Sequence, residues 1–156
     1  YIIASYLWNM FDFAVPMWTR GGVPARNMKG LVTFDRKIKK DSYFWYKANW
    51  SENPVLYLTQ RRNVDREKRM TTVTVYSNIG TPKVYLNGKE LGGIRKGYTD
   101  VHYIFDNVVL ADGKNVLKAV AAIKGKEYTD EIVWNYSGEK NREVDSYENK
   151  NEHSGF

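Results

Sequence analysis

The chain has 156 residues, enough for one domain with its own core or a small domain with an extension, and too few for a complete β/α barrel of roughly 250 residues. Its 42% hydrophobic and 27% charged residues, with 4 prolines, exclude a disordered chain. With no cysteine, disulfides, thiolate metal sites and a cysteine nucleophile are excluded, and the formal charge of +6 is concentrated in residues 1 to 50, which hold eight Lys/Arg against three Asp/Glu.

In chain order, YIIASYLWNMFDFAVPMW begins as an apolar run fitting a buried strand and ends in aromatics around Pro16, which halts regular pairing. The start has no basic leader or small-residue cleavage site, and no stretch reaches the length of a membrane span. It also lacks an initiator Met, so the chain is expected to begin inside something longer. Residues 19 to 30 read as loop, punctuated by Gly21-Gly22, Pro24 and Gly30, and Leu31 to Phe34 as a short extended piece. KIKKDSYFWYKANW predicts a helix of about three turns. Asp41 and Ser42 lie near its start, and Tyr43, Tyr46, Lys47 and Trp50 run along one side. Ser51, Asn53 and Pro54 end it.

From Val55 the hydrophobic period changes to two. Strands are predicted at Val55 to Thr59, Thr72 to Tyr76, Lys83 to Leu86, Val101 to Phe105, Asn115 to Ile123 and Tyr128 to Trp134, with a short one around Glu90 to Ile94. Asn87-Gly88 signals a type I′ hairpin, and Gly125-Lys126 is expected to join the last two strands. This spacing of short strands predicts an immunoglobulin-like sandwich, with a boundary near Ser51 to Pro54. The tail from Gly138 has almost no aliphatic residues and reads as a disordered end or linker.

The aromatic share of 15% exceeds what a small core needs, and such excess often lines sites for sugars, bases or protein partners. Two basic clusters stand out. Lys37, Lys39 and Lys40 form one; Arg61 to Arg69 form the other, diluted by Asp65 and Glu67. Both read as solvated faces rather than a phosphate track, so nucleic acid and membrane are not expected as partners. His102 and His153 are the only imidazoles, far apart in sequence, and no metal site is expected.

Two motifs carry a family resemblance: Leu7-Trp8-Asn9-Met10-Phe11-Asp12-Phe13-Ala14, and Arg26-Asn27-Met28-Lys29-Gly30-Leu31-Val32-Thr33-Phe34-Asp35-Arg36 with the aromatic helix behind it. In order and separation they resemble the last strand, loop and helix of the catalytic barrel of glycoside hydrolase family 2, which includes β-galactosidases and β-glucuronidases. The sandwich is similar to the immunoglobulin-like domain behind the barrel in many bacterial members, so the resemblance covers roughly residues 1 to 137. It implies a mainly β fold: a barrel remnant at 1–52, an immunoglobulin-like β-sandwich at 53–137, and the tail at 138–156. It further implies hydrolysis of terminal β-linked sugars of the β-galactosidase type, a carbohydrate partner, no cofactor, and a periplasmic or extracellular rather than cytoplasmic location.

Substrates of such barrels sit at the carboxyl ends of the strands. The resemblance therefore makes Trp8 a wall of the pocket for the non-reducing sugar. In members acting on uronic acids, an Asn-x-Lys-Gly motif like Asn27-Met28-Lys29-Gly30 binds the sugar carboxylate. An amide donor and an ammonium two residues apart can both reach one carboxylate with charge-assisted strength. Similar sequences occur in galactosidase-type relatives, so both sugars stay open, as do a core role for Trp8 and pairing of Lys29 with Asp12 or Asp35.

Retaining glycosidases need two carboxylates about 5 Å apart, which in this family are glutamates on earlier barrel strands. Residues 1 to 51 contain no Glu, and Asp12, Asp35 and Asp41 match no family catalytic position. No catalytic residue is assigned, and the chain alone is expected to hydrolyse nothing. The barrel remnant is expected to pack on the sandwich, to associate with another copy or chain, or to stay partly disordered. A reading of a different class makes the sandwich a non-catalytic carbohydrate-binding module using Tyr76, Tyr85, Tyr98, Tyr103 or Trp134. Core or cross-strand packing is the default for each of these.

Overall fold

A computed structural model describes residues 1, 3–19 and 23–138. The elements in order are β1 (Phe13–Ala14), β2 (Arg26–Asn27), α1 (Asp41–Trp50), β3 (Leu56–Leu58), β4 (Asp65–Arg66), β5 (Met70–Ser77), β6 (Lys83–Leu86), β7 (Lys89–Glu90), β8 (Ile94–Lys96), β9 (His102–Val109), β10 (Gly113–Ile123) and β11 (Lys126–Tyr136).

Strict alternation explains the sandwich. In β5, Val73, Val75 and Ser77 turn inward while Thr72, Thr74 and Tyr76 turn outward; in β11, Ile132, Trp134 and Tyr136 turn inward. One sheet has the order β4-β11-β10-β6-β7 and the other β3-β5-β9-β8. Between them Leu58, Val75, Val84, Phe105, Leu117 and Trp134 form a core that is at most 2% exposed. This is the immunoglobulin-like sandwich that the strand spacing implied.

The turns follow their residues. Leu86 pairs with Lys89 around Asn87 and Gly88, both at positive φ (51° and 84°), the type I′ geometry. The last hairpin is one residue out from expectation. Ile123 pairs with Lys126, so the turn is Lys124-Gly125, again with both φ values positive (50° and 76°). The strand expected around Glu90 to Ile94 is two strands: β7 closes one sheet, and after a crossover at Leu91 to Gly93, β8 edges the other. Leu91 packs against the core at that crossing.

The basic run Arg61 to Arg69 is only partly a solvated face. Arg66 lies over the Trp134 ring at 4.1 Å, and Arg69 over Tyr136 at 5.1 Å. Arg61 lies over Tyr57 at 4.6 Å and pairs with Asp130. These cations cover aromatic edges of the sandwich, each contact being worth about 0.5–2 kcal/mol depending on desolvation. Burial accordingly lowers the Arg66 pKa.

Helix α1 begins at Asp41, later than the Lys37 start of the aromatic run, because Lys39 is tied by a β-bridge to Val32 and the Lys40 N–H donates to the Leu31 carbonyl (2.8 Å). It packs on the outer face of the four-stranded sheet. Phe44 stacks on Tyr57 with centroids 3.8 Å apart, and Ala48 is buried with Val55 beside it. The row Tyr43, Tyr46, Lys47 and Trp50 flanks that contact, with Trp50 70% exposed.

The buried strand expected at the start is absent from the described residues. Residues 1 and 3 to 10 form no strand, and Tyr1, Ile3 and Tyr6 are exposed. A strand needs neighbours to pair with and a face to bury. Among the described residues, only Asn9 and Met10 of this stretch find backbone partners, in Leu31 and Val32. The tail from residue 139, His153 and Gly21-Gly22 lie outside the described residues.

Candidate functional site

The two motifs meet in a small network. Asp12 donates its N–H to the Val32 carbonyl (3.0 Å), Val32 to Met10 (2.9 Å) and Leu31 to Asn9 (3.1 Å), so the two segments run side by side. Gly30 sits where they come closest: a Cβ there would fall on the backbone of Phe11 and Asp12, so no side chain fits. The Gly30 N–H donates to Asp12 Oδ1 at 2.9 Å. The same oxygen accepts from Lys40 Nζ at 2.6 Å, and Lys40 also donates to the Met28 carbonyl at 2.9 Å. Asp12 is 6% exposed, and this cation and N–H compensate its burial.

The acids near Lys29 are therefore taken by others. Asp12 holds Lys40, while Asp35 accepts from the Thr33 hydroxyl (2.5 Å) and the Lys37 N–H (3.2 Å), contacts that keep its carboxyl below the usual range. The pairing of Lys29 with Asp12 or Asp35 is not what the fold makes. Lys29 is exposed and forms no ion pair with a described residue. Asn27, 8% exposed, accepts the Lys29 N–H on Oδ1 at 3.0 Å, and no described residue takes its Nδ2. An amide N–H₂ and an ammonium are thus both presented by one loop.

Trp8 is 74% exposed in this chain. Its ring lies edge-on to Phe13 at 6.0 Å, and Phe13 pairs in register with Asn27. Phe13 thus lies between the Trp8 ring and the strand of Asn27, whose loop carries Lys29. Cations brace this region: Arg26 lies over Phe34 at 4.2 Å and Arg36 over Phe11 at 4.8 Å. The Asp12–Lys40 tie was missed in the sequence because the two lie 28 residues apart with no local pattern linking them.

A second polar centre joins helix to sandwich. Asp41 accepts from the Tyr57 hydroxyl (2.8 Å) and the Gln60 N–H (2.7 Å). Burial first, and then the hydrogen bond to Asp41, pushes the Tyr57 phenol well up. Burial and the Asp41 charge raise Tyr76 to about 12. Among the aromatics considered for sugar binding by the sandwich, Trp134 and Tyr103 are core residues, Tyr76 faces the helix contact, and Tyr98 is exposed. His102 accepts the Tyr98 N–H on Nδ1 (3.3 Å), and burial lowers its pKa. No three metal-ligating side chains converge among the described residues.

The family model "Domain of unknown function (DUF4982)" matches residues 68–129, within the sandwich. A protein of Bacteroides fragilis named "Beta-glucuronidase" is 34% identical over 141 residues, 90% of this chain and 20% of the relative. Among solved structures, a "putative beta-galactosidase" from Bacteroides fragilis superposes with a TM-score of 0.86 and 88% identity, over 92% of this chain and 21% of that one. An "FMN-binding beta-glucuronidase" from Facaelibacterium prausnitzii L2-6 superposes with a TM-score of 0.75 and 42% identity, over 87% and 20%. The chain spans about a fifth of the length of these relatives.

Proposed function

We propose, for a chain related over most of its length to enzymes of glycoside hydrolase family 2, that it is part of a glycosidase of β-galactosidase type cleaving terminal β-linked sugars. The observation that carries this is that proteins bearing glycosidase names match about nine-tenths of the chain, at 34% identity for one relative and 88% for one solved structure. Trp8 would pack an indole face on the apolar side of the sugar ring, and the Asn27–Lys29 loop would contact its polar edge. The carboxylate pair for bond cleavage would come from outside these 156 residues. The isolated chain is accordingly expected to be inactive.

A second reading, hydrolysis of uronides, is favoured by one specific observation: the Lys29 ammonium and the Asn27 Nδ2 are both without a described partner while every nearby acid is engaged. The longer protein should be assayed on an aryl β-galactoside and an aryl β-glucuronide. For a glucuronidase, Lys29→Ala should cut kcat/KM for the glucuronide by about tenfold to a hundredfold, the loss of one or two charge-assisted bonds at roughly 1.5–3 kcal/mol, while sparing the galactoside. For a galactosidase, only the galactoside is cleaved. Cleavage of neither rejects both readings.

A further inference from the structure

The two basic clusters that the sequence separates both line one cleft. A groove of about 620 Å³ is lined by Lys37, Lys39 and Lys40 and by Arg61 and Arg62. It continues into a second, of about 440 Å³, with which it shares Lys40, Asp41 and Arg62. Two of the five cations are neutralised, Lys40 by Asp12 and Arg61 by Asp130. Lys37, Lys39 and Arg62 are exposed and make no ion pair with a described residue. Against them the cleft holds one carboxylate without a cation, Asp41, whose oxygens already accept from Tyr57 and Gln60. Phe44 and Leu56 supply an apolar floor.

We infer that this cleft binds an acidic oligosaccharide, a chain of pyranose rings carrying carboxylates or sulfates. The inference rests on the glycosidase reading for its choice of a sugar. Charge complementarity selects the anion: Lys37, Lys39 and Arg62, exposed and outside any ion pair although Lys39 also lies over the Tyr43 ring at 5.0 Å, raise the local concentration of a polyanion and can each take a charge-assisted hydrogen bond. The apolar floor suits the flat faces of sugar rings. Continuity with the loop of Asn27 and Lys29 is direct, because Lys40 in the cleft wall donates to the Met28 carbonyl within that loop. An extended acidic glycan whose end lies at the loop would therefore run on into the cleft.

The test is calorimetric titration of the 156-residue chain with trigalacturonic acid, with galactotriose and inorganic sulfate as controls. Trigalacturonate should bind, weaken as salt is raised, and lose about tenfold or more in affinity in a Lys37→Ala/Arg62→Ala double variant, the loss of two exposed charge-assisted contacts. Both positions are exposed, and circular dichroism confirms that the variant is folded. No binding, equal binding of galactotriose, affinity no greater than that for sulfate, or unchanged affinity of the variant would each overturn the inference. Because the titration needs no hydrolysis, its failure is separate from failure of the glycosidase reading, which the aryl glycoside assays decide.

Discussion

In the sandwich, Leu58, Val73, Val75, Val84 and Leu117 are 0% exposed, whereas Tyr1, Ile3, Tyr6 and Trp8 ahead of it are at least 74% exposed, although both sets are apolar or aromatic. The inner sandwich strands find partners on both sides, the edge strands on one, and all have a facing sheet within the chain. Among the described residues, the amino-terminal segment finds a two-residue ribbon, two bridges, the Asp12 ties to Gly30 and Lys40, and a few backbone bonds from Asn9 to Lys40. Burial follows from the number of neighbours a segment can recruit, and apolar composition alone does not secure it.

That contrast is open to direct attack, beginning with the core. Trp134→Ala should cost about 3–5 kcal/mol in denaturant unfolding, since it empties a 1% exposed site and removes the platform beneath Arg66, whereas Ile3→Ala should stay within about 0.5 kcal/mol. Equal effects would mean that the first residues are buried in solution. Asp41→Ala should come next, at about 1.5–3 kcal/mol, because the Tyr57 hydroxyl and Gln60 N–H both lose a charged acceptor where helix meets sandwich. Gly30→Ala sharpens the comparison from the other side. At about 1–3 kcal/mol of local cost, it should abolish hydrogen-exchange protection of the Asp12 and Val32 amides while leaving β10 and β11 protected.

Proton linkage gives smaller effects of opposite direction. Tyr57 and Tyr76 have raised pKa values in the fold, so the stability tied to their neutral phenols is fully present below the ordinary value of 10.0 and is lost as pH rises through the folded values, about 12 for Tyr76. A tyrosinate absorbance titration should show two late-ionising phenols. Asp41→Asn should bring them forward, having removed a charge that holds both up. His102 is the reverse case. Its folded pKa lies below the ordinary 6.5, so its contribution is present above 6.5 and is lost as pH falls below it toward the folded value. His102→Gln should flatten that acid limb of the stability profile; an unchanged limb would place its origin elsewhere.

Much of the sandwich was legible because its signals are local. The alternation of Thr72 to Tyr76 and Asn115 to Ile123 placed strands, and Asn87-Gly88 placed a turn that only left-handed backbone can make. The side-by-side run of the two amino-terminal motifs joins residues 9–12 to 30–32. Its internal wiring was not legible, because Asp12 takes Lys40 rather than Lys29 through a contact with no sequence periodicity. The division of residues 89 to 96 between two sheets was hidden for the same reason: a short polar stretch carries too little pattern to say which edge it joins.

By itself the sequence determined the period-two strands, the Asn87-Gly88 hairpin, the existence of the aromatic helix and the placing of an amide and an ammonium two residues apart, since backbone preference and side-chain period act over a few residues. Tertiary structure alone decided that Asp12 meets Lys40, that Lys37, Lys39 and Lys40 line one cleft with Arg61 and Arg62, and that the first apolar residues are exposed in this chain. Those outcomes depend on which distant segments are present to be packed against, and no local pattern encodes a neighbour.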